Sequence, residues 1–269
     1  MSLLRTDDLT VSFGGLHAND SVAIEIAEGG FIGLIGPNGA GKTTFIDAIT
    51  GFVPLSTGQV HFADQRIDTL APHKRVHLGL SRTFQSLELF EDLTVADNLL
   101  AAADRPQWWS FLADVVMPNR RTGVEDDVAW ALEVVGLADQ ADRLPGDLSH
   151  GQRKLVGVAR ALAARPRLVL LDEPAAGLDT AESQSLGRRL RSLLDHDITV
   201  FLIDHDMGLV LNVCDYIYVL DFGQIIAAGP PAEIRTDAAV IAAYLGDQAG
   251  EAQAASGAEV AHLREEHGE

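Results

Sequence analysis

Cys214 is the only cysteine in the 269 residues, so no intramolecular disulfide can hold this fold together. Basic residues are scarce too: 20 Lys and Arg face 39 Asp and Glu, giving a formal charge of −19. Such a surface repels phosphate backbones on average, and no local basic patch offsets it, so a nucleic-acid partner is not expected. Long hydrophobic runs are missing. The most apolar stretch, Trp108 to Met117, is ten residues long and stops at Pro118, whereas a membrane-spanning helix needs about twenty. No basic segment leads into an apolar stretch of signal-peptide type, which with the lone cysteine sets the expectation of a cytoplasmic protein. No segment recurs at a fixed period, so a single unit is expected rather than a tandem pair.

Hydrophobic residues make up 47% of the chain, enough to fill the core of one large domain. Short apolar runs alternate with segments of helical period, the pattern of an α/β layer fold with a mostly parallel sheet. Phe31 to Ile35, Leu168 to Leu171 and Val200 to Ile203 are continuously apolar, as strands covered on both faces are, and read as central. Leu9 to Phe13 and Val22 to Ile26 alternate more. Near the end, Tyr216 to Leu220 and Gln224 to Ala228 flank the turn Asp221-Phe222-Gly223. All four are expected as antiparallel additions. Between Leu87 and Leu148 the strand signal disappears. Val128, Ala131, Leu132 and Val135 recur at helical spacing behind the acidic start Glu125-Asp126-Asp127, with Gly136 placed to end that helix and Pro145-Gly146 marking a turn. From Asp247 onward, six acidic residues stand against one basic in an Ala-, Gly- and Gln-rich stretch, the composition of a disordered tail.

The loop Gly36, Pro37, Asn38, Gly39, Ala40, Gly41, Lys42, Thr43 reads GPNGAGKT. It follows the strand-like run Phe31 to Ile35 and precedes a helix that carries Phe45, Ile46 and Ile49 and ends at Gly51. That context makes it a phosphate-binding loop. Its glycines let consecutive N–H groups turn inward, and the helix N-terminus, which includes Thr44, adds partial positive charge. Lys42 can reach β- and γ-phosphates, and the Thr43 hydroxyl can ligate Mg²⁺. The second half of a metal site is an acid at the end of a buried strand. Leu168-Val169-Leu170-Leu171-Asp172-Glu173 supplies it, with Asp172 toward Mg²⁺ and Glu173 as general base for an attacking water.

Leu148-Ser149-His150-Gly151-Gln152 opens an apolar-faced helix through Leu155, Val158, Ala159 and Leu162. Ser149 with Gln152 also fits a capping box, which explains two of the five residues. No N-K-x-D motif of a GTPase follows, and Asp221-Phe222-Gly223 lacks the H-R-D loop of a kinase. The order phosphate loop, Gln85, LSHGQ, LLDEP, Gly177-Leu178-Asp179 and His205 resembles the nucleotide-binding subunits of ABC transporters over roughly residues 3 to 246.

That resemblance implies an α/β P-loop NTPase (RecA-like) core with N-terminal antiparallel β strands and an inserted α-helical subdomain. The cassette would span residues 1–246, the insert about 87–154, and the acidic tail 247–269. It further implies two subunits packed head to tail, ATP lying between one subunit's phosphate loop and the other's signature. Ser149, His150, Gly151 and Gln152 would then act in trans, and Asp179 would cross the interface. Gln85 matches the glutamine that touches Mg²⁺ and the attacking water, His205 the switch histidine at the γ-phosphate, and Phe13 the aromatic that stacks on adenine. A buried strand-end Phe would be the plainer account of Phe13. His150 departs from the family's glycine and crowds a close approach of backbone to phosphate, unless its side chain points away from ATP.

SRTFQSLELFEDLTVADNLL at 81–100, LDEPAAGLD at 171–179, LIDHDMGLV at 202–210 and AAVIAAYLG at 238–246 resemble ATPases of branched-chain, or hydrophobic, amino-acid importers. Urea and amide importers share these stretches, and the cassette motifs taken alone also suit a lipid exporter or a soluble scaffold ATPase. The amino-acid importer reading implies two permease subunits, a second ATPase as homo- or heterodimer, a solute-binding protein and a peripheral place on the inner face of the membrane. Phe90 and Leu93 are candidate contacts for a permease helix, with internal packing as an equal alternative; Trp108-Trp109-Ser110-Phe111 fits a place near the membrane or permease less well than packing within the helical insert, since interfacial helices carry more Lys and Arg.

Overall fold

The computed structural model describes residues 2–83, 89–103 and 120–245. Gln85, the Trp108 to Phe111 piece and the tail 247–269 lie outside the described residues. Two sheets organise the chain. The first is antiparallel, in the order β2-β1-β4-β5, built from β1 (Ser2–Phe13), β2 (Leu16–Ala27), β4 (Thr57–Phe62) and β5 (Gln65–Arg66). The second has six strands in the order β10-β9-β3-β8-β7-β6: β10 (Gln224–Gly229), β9 (Tyr216–Asp221), β3 (Phe31–Ile35), β8 (Thr199–Ile203), β7 (Leu168–Asp172) and β6 (Leu80–Arg82).

The three continuously apolar runs are adjacent central strands, every residue of them buried. Alternate side chains serve opposite faces, as the pleat requires. Val169, Leu171, Val200 and Leu202 join one core with the helices α5 (His150–Leu162), α6 (Thr180–Arg191) and α7 (Met207–Val213). Leu168, Leu170, Phe201 and Ile203 join a second core with α1 (Lys42–Thr50) and the antiparallel sheet, where Phe45 meets Phe201 edge to face.

Two expectations are corrected. Tyr216 to Leu220 is not an antiparallel addition: β9 pairs parallel to β3, with Gly33 opposite Ile217, and only β10 returns antiparallel. The acidic run Glu125-Asp126-Asp127 does not start its helix. The helix α4 covers Arg120–Val135, with no proline between Pro118 and Gly136 to interrupt it, and ends at Gly136 with φ 72°. Between α3 (Val95–Ala103) and α5 the described residues hold helices and no strand.

Candidate functional site

Parallel neighbours end on the same side, so the C-terminal ends of β3, β8 and β7 converge there, the usual place for a ligand in such a sheet. They deliver the loop 36–43, His205 and the pair Asp172-Glu173 to one edge. The tight loop needs its glycines. A Cβ on Gly36 would fall 2.0 Å from the Leu220 carbonyl oxygen, and Gly41, at φ 103°, would meet the Ala18 oxygen at 2.3 Å. The longer helices α5 and α6 are capped by side chains, whereas α1 starts at Gly41 with none. A helix N-terminus without a side-chain cap, at the end of a glycine-rich loop, favours an anion through its partial positive charge. Lys42 is buried beneath the loop, its Nζ donating to the carbonyls of Gly36 at 2.6 Å and Pro37 at 2.8 Å.

Asp172 ends β7 almost fully buried. Its N–H donates to Thr83 Oγ1 at 3.0 Å, and its Oδ2 accepts from Arg82 Nη2 at 3.1 Å. Burial holds its carboxyl above the usual carboxylate range, against the pull of Arg82. Arg82 also binds Asp47 of α1, so one guanidinium ties the phosphate-loop helix to the acidic strand end. The sequence reading missed it; its signal was a lone basic residue closing a short buried run. Arg82→Met leaves two carboxylates facing each other with little water and is expected to destabilise the fold by about 3 kcal/mol or more. An unchanged denaturation midpoint would refute that assignment.

Beyond Asp172 the chain leaves the strand: Glu173 adopts φ 47° and its N–H donates to the Ile203 carbonyl at 2.8 Å. The left-handed conformation costs an L-residue about 1 kcal/mol. Here it turns the Glu173 side chain toward His205, whose Nδ1 lies 3.5 Å from Glu173 Oε1 and 3.6 Å from Asp204 Oδ1. Asp204 is a second residue that sequence reading missed, although it ends an apolar strand as Asp172 does. It is fully buried and accepts the Asp206 N–H at 3.0 Å, while its Oδ2 finds no hydrogen-bond partner among the described residues. Burial raises its pKa. A raised acid favours the folded state below its unfolded pKa, and that contribution is lost as pH rises through the folded value. Asp204→Asn should therefore gain stability relative to the native chain as pH rises from 4.5 to 8, by about 1 kcal/mol; paired unfolding curves at the two pH values test it.

Phe13 is 56% exposed at the end of β1, opposite the exposed Leu16 across the turn, so the buried-Phe account fails and the ring is open to stacking. Ser149 caps α5 in a complete capping box, accepting the Gln152 N–H while Gln152 Oε1 accepts the Ser149 N–H at 2.9 Å. A Cβ on Gly151 would fall 2.6 Å from Leu178 Cδ2, so the helix start abuts the segment 177–179. His150 is exposed, with its ring edge beside the backbone of Gly177 in the same chain. Asp179 caps α6, its Oδ1 accepting from Ala181 and Glu182 N–H at 2.8 Å. These residues thus make their hydrogen bonds within their own helix starts.

A family profile described as ABC transporter matches residues 19–176. The chain belongs to the ABC transporter ATP-binding cassettes. A second profile, branched-chain amino acid ATP-binding cassette transporter, matches residues 224–250 of this cassette. It is 39% identical over 251 residues to the high-affinity branched-chain amino acid transport ATP-binding protein BraF of Pseudomonas aeruginosa, covering 91% of this chain and 98% of that one. Over 247 residues it is 34% identical to the lipopolysaccharide export ATP-binding protein LptB of Escherichia coli, covering 92% and 98%. Among solved structures, the ADP conformation of MJ1267, an ATP-binding cassette of an ABC transporter, superposes with a TM-score of 0.80 at 34% identity, covering 91% and 99%. As an ABC cassette the protein is a P-loop ATPase that binds nucleotide and couples its hydrolysis to transport. No helix among the described residues is long and apolar enough to cross a membrane.

Magnesium fits the residues present. No cluster of three His, Cys, Asp or Glu forms a metal cage among the described residues. Thr43 and the buried Asp172 instead offer hard oxygen donors beside a phosphate loop, the sparse protein share that Mg²⁺ accepts when nucleotide phosphates complete its shell.

Proposed function

We propose that this cassette drives an importer of branched-chain or hydrophobic amino acids. The observation that supports the solute class is the profile match at 224–250, reinforced by the resemblance to BraF. In this reading the inward N–H groups of 36–43 and Lys42 bind the polyphosphate, and Phe13 stacks on the adenine. Thr43 and Asp172 would hold Mg²⁺, which would supply charge neutralisation for the bound polyphosphate. Glu173 takes the proton of the attacking water. His205, positioned between Glu173 and Asp204, donates to the γ-phosphate oxygens. By the family resemblance, Gln85 would add to the metal and water contacts.

The second half of the site comes from another cassette. Ser149, Gly151 and the partly positive N-terminus of α5, whose first turn has no acidic residue, face the γ-phosphate held by the first, and Asp179 meets the opposite loop. Triphosphate thus favours the closed pair, and cleavage releases it. His150 stays against Gly177 of its own chain and out of the phosphate contact. Two permease subunits receive the motion, which places the cassette on the inner membrane face; a solute-binding protein chooses the cargo. The cassette with its insert spans residues 1–246, followed by the acidic tail.

The test is reconstitution with the permease subunits and solute-binding protein that co-purify with it. Leucine-loaded binding protein should raise ATP hydrolysis and drive leucine uptake. Stimulation by urea or an amide instead, or lipid release without a binding protein, would replace the amino-acid assignment, and recovery with soluble partners alone would replace the transporter assignment.

A further inference from the structure

The proposed permease-facing turn is unusually well anchored. Leu89 roots it in the core, while Phe90, at 55% exposure, and Leu93 face outward. Asn98 of α3 is wholly buried and organises the turn. Its Oδ1 accepts the Phe90 N–H at 2.8 Å, and its Nδ2 donates to the carbonyls of Phe90 at 3.0 Å, Leu93 at 3.2 Å and Thr94 at 2.9 Å. Thr94 caps α3 by accepting the Asp97 N–H. Two connections then lead from this clamp to the signature segment. Val95 and Ala96 donate their N–H groups to the carbonyls of Arg143 and Ala141, on the stretch that runs into Leu148-Ser149. Glu91, in the turn itself, forms an ion pair with Arg153, the residue that follows LSHGQ in α5.

We propose that the Glu91–Arg153 bridge is a coupling strut: a permease helix pressing on Phe90 and Leu93 moves the turn as one body, and the bridge carries that movement to Ser149 and Gly151. Half-exposed ion pairs contribute little to stability, so holding the fold together is a poor explanation for this one. Its position gives it another use. The clamp removes slack within the turn, and the backbone bonds at 95–96 fix a pivot, so a charged tie at 91 converts displacement at the surface into rotation of the signature helix. This inference rests on the proposed docking of a permease at Phe90 and Leu93.

The experiment compares the native complex with Glu91→Gln, Glu91→Arg, Arg153→Glu and the Glu91→Arg/Arg153→Glu exchange, reconstituted with permeases and solute-loaded binding protein. The readouts are cassette bound per permease and the ratio of solute-stimulated to basal ATP hydrolysis. The single charge reversals should assemble normally yet lose stimulation by about fivefold or more, the scale of an ordinary coupling energy. The exchange should restore most of it, and Glu91→Gln should fall between. Unaltered stimulation in the single variants, or an exchange no better than either reversal alone, overturns the strut. A Phe90→Ala/Leu93→Ala control separates the two levels. If that control keeps full assembly and stimulation, the docking assignment fails and the strut with it. If it loses assembly while the charge variants behave as native, the strut alone fails.

Discussion

Glu173→Gln is expected to lower steady-state ATP turnover by about 10²–10⁴-fold, the usual contribution of a positioned general base, while ATP affinity stays within about twofold of native. The geometry gives both halves of this expectation. Glu173 stands where β7 has already ended, in a left-handed conformation secured by its N–H bond to Ile203, with its side chain beside His205. Glutamine keeps the shape and the backbone bond but cannot take a proton from water. The loop 36–43, Lys42 and Asp172 are untouched. Single-turnover phosphate release and equilibrium nucleotide titration measure the two quantities separately. Turnover that survived undiminished would remove Glu173 from the role of base, whatever happened to binding.

Lys42→Ala should produce the opposite split, abolishing measurable nucleotide binding with little change in folding. The ammonium is shared between the loop carbonyls of Gly36 and Pro37 and is the one side-chain cation within the GPNGAGKT segment. With nucleotide bound the ammonium would donate to β- and γ-phosphate oxygens, and charge-assisted hydrogen bonds of that kind contribute about 1.5–3 kcal/mol each, so losing two costs on the order of 10²-fold or more in affinity. Titration calorimetry with ATP in the presence of magnesium reads the loss directly. Native-like affinity in a folded Lys42→Ala protein is the result that would move the nucleotide elsewhere.

What sequence reading captured was local chemistry. The phosphate loop, the acid pair after Leu171 and the capped start of α5 are short stretches whose residue types state their own geometry: glycines where backbone must approach backbone, a serine and glutamine three apart at a helix start. The central strands were legible because burial on both faces leaves a continuous apolar run. What escaped was set by distant partners. The parallel pairing of β9 with β3 depends on a neighbour some 180 residues earlier, and nothing in Tyr216 to Leu220 encodes direction. Strands β5 and β6 are two and three residues long, too short to show a period. Arg82 and Asp204 read as ordinary charges, because their burial is created by packing: Arg82 between α1 and β7, Asp204 beneath the His205 segment. The buried Asn98 escaped similarly, since a mid-helix asparagine announces neither its burial nor its four hydrogen bonds.

Ser149, Gln152 and Asp179 satisfy N–H groups of their own helix starts, which leaves the two helix N-termini at the surface. The most direct test is the molar mass of the Glu173→Gln protein by light scattering, with magnesium and either ATP or ADP. Trapped triphosphate should give twice the mass of one chain, and the diphosphate a single chain. A single-chain mass with ATP at saturation would contradict the shared nucleotide site.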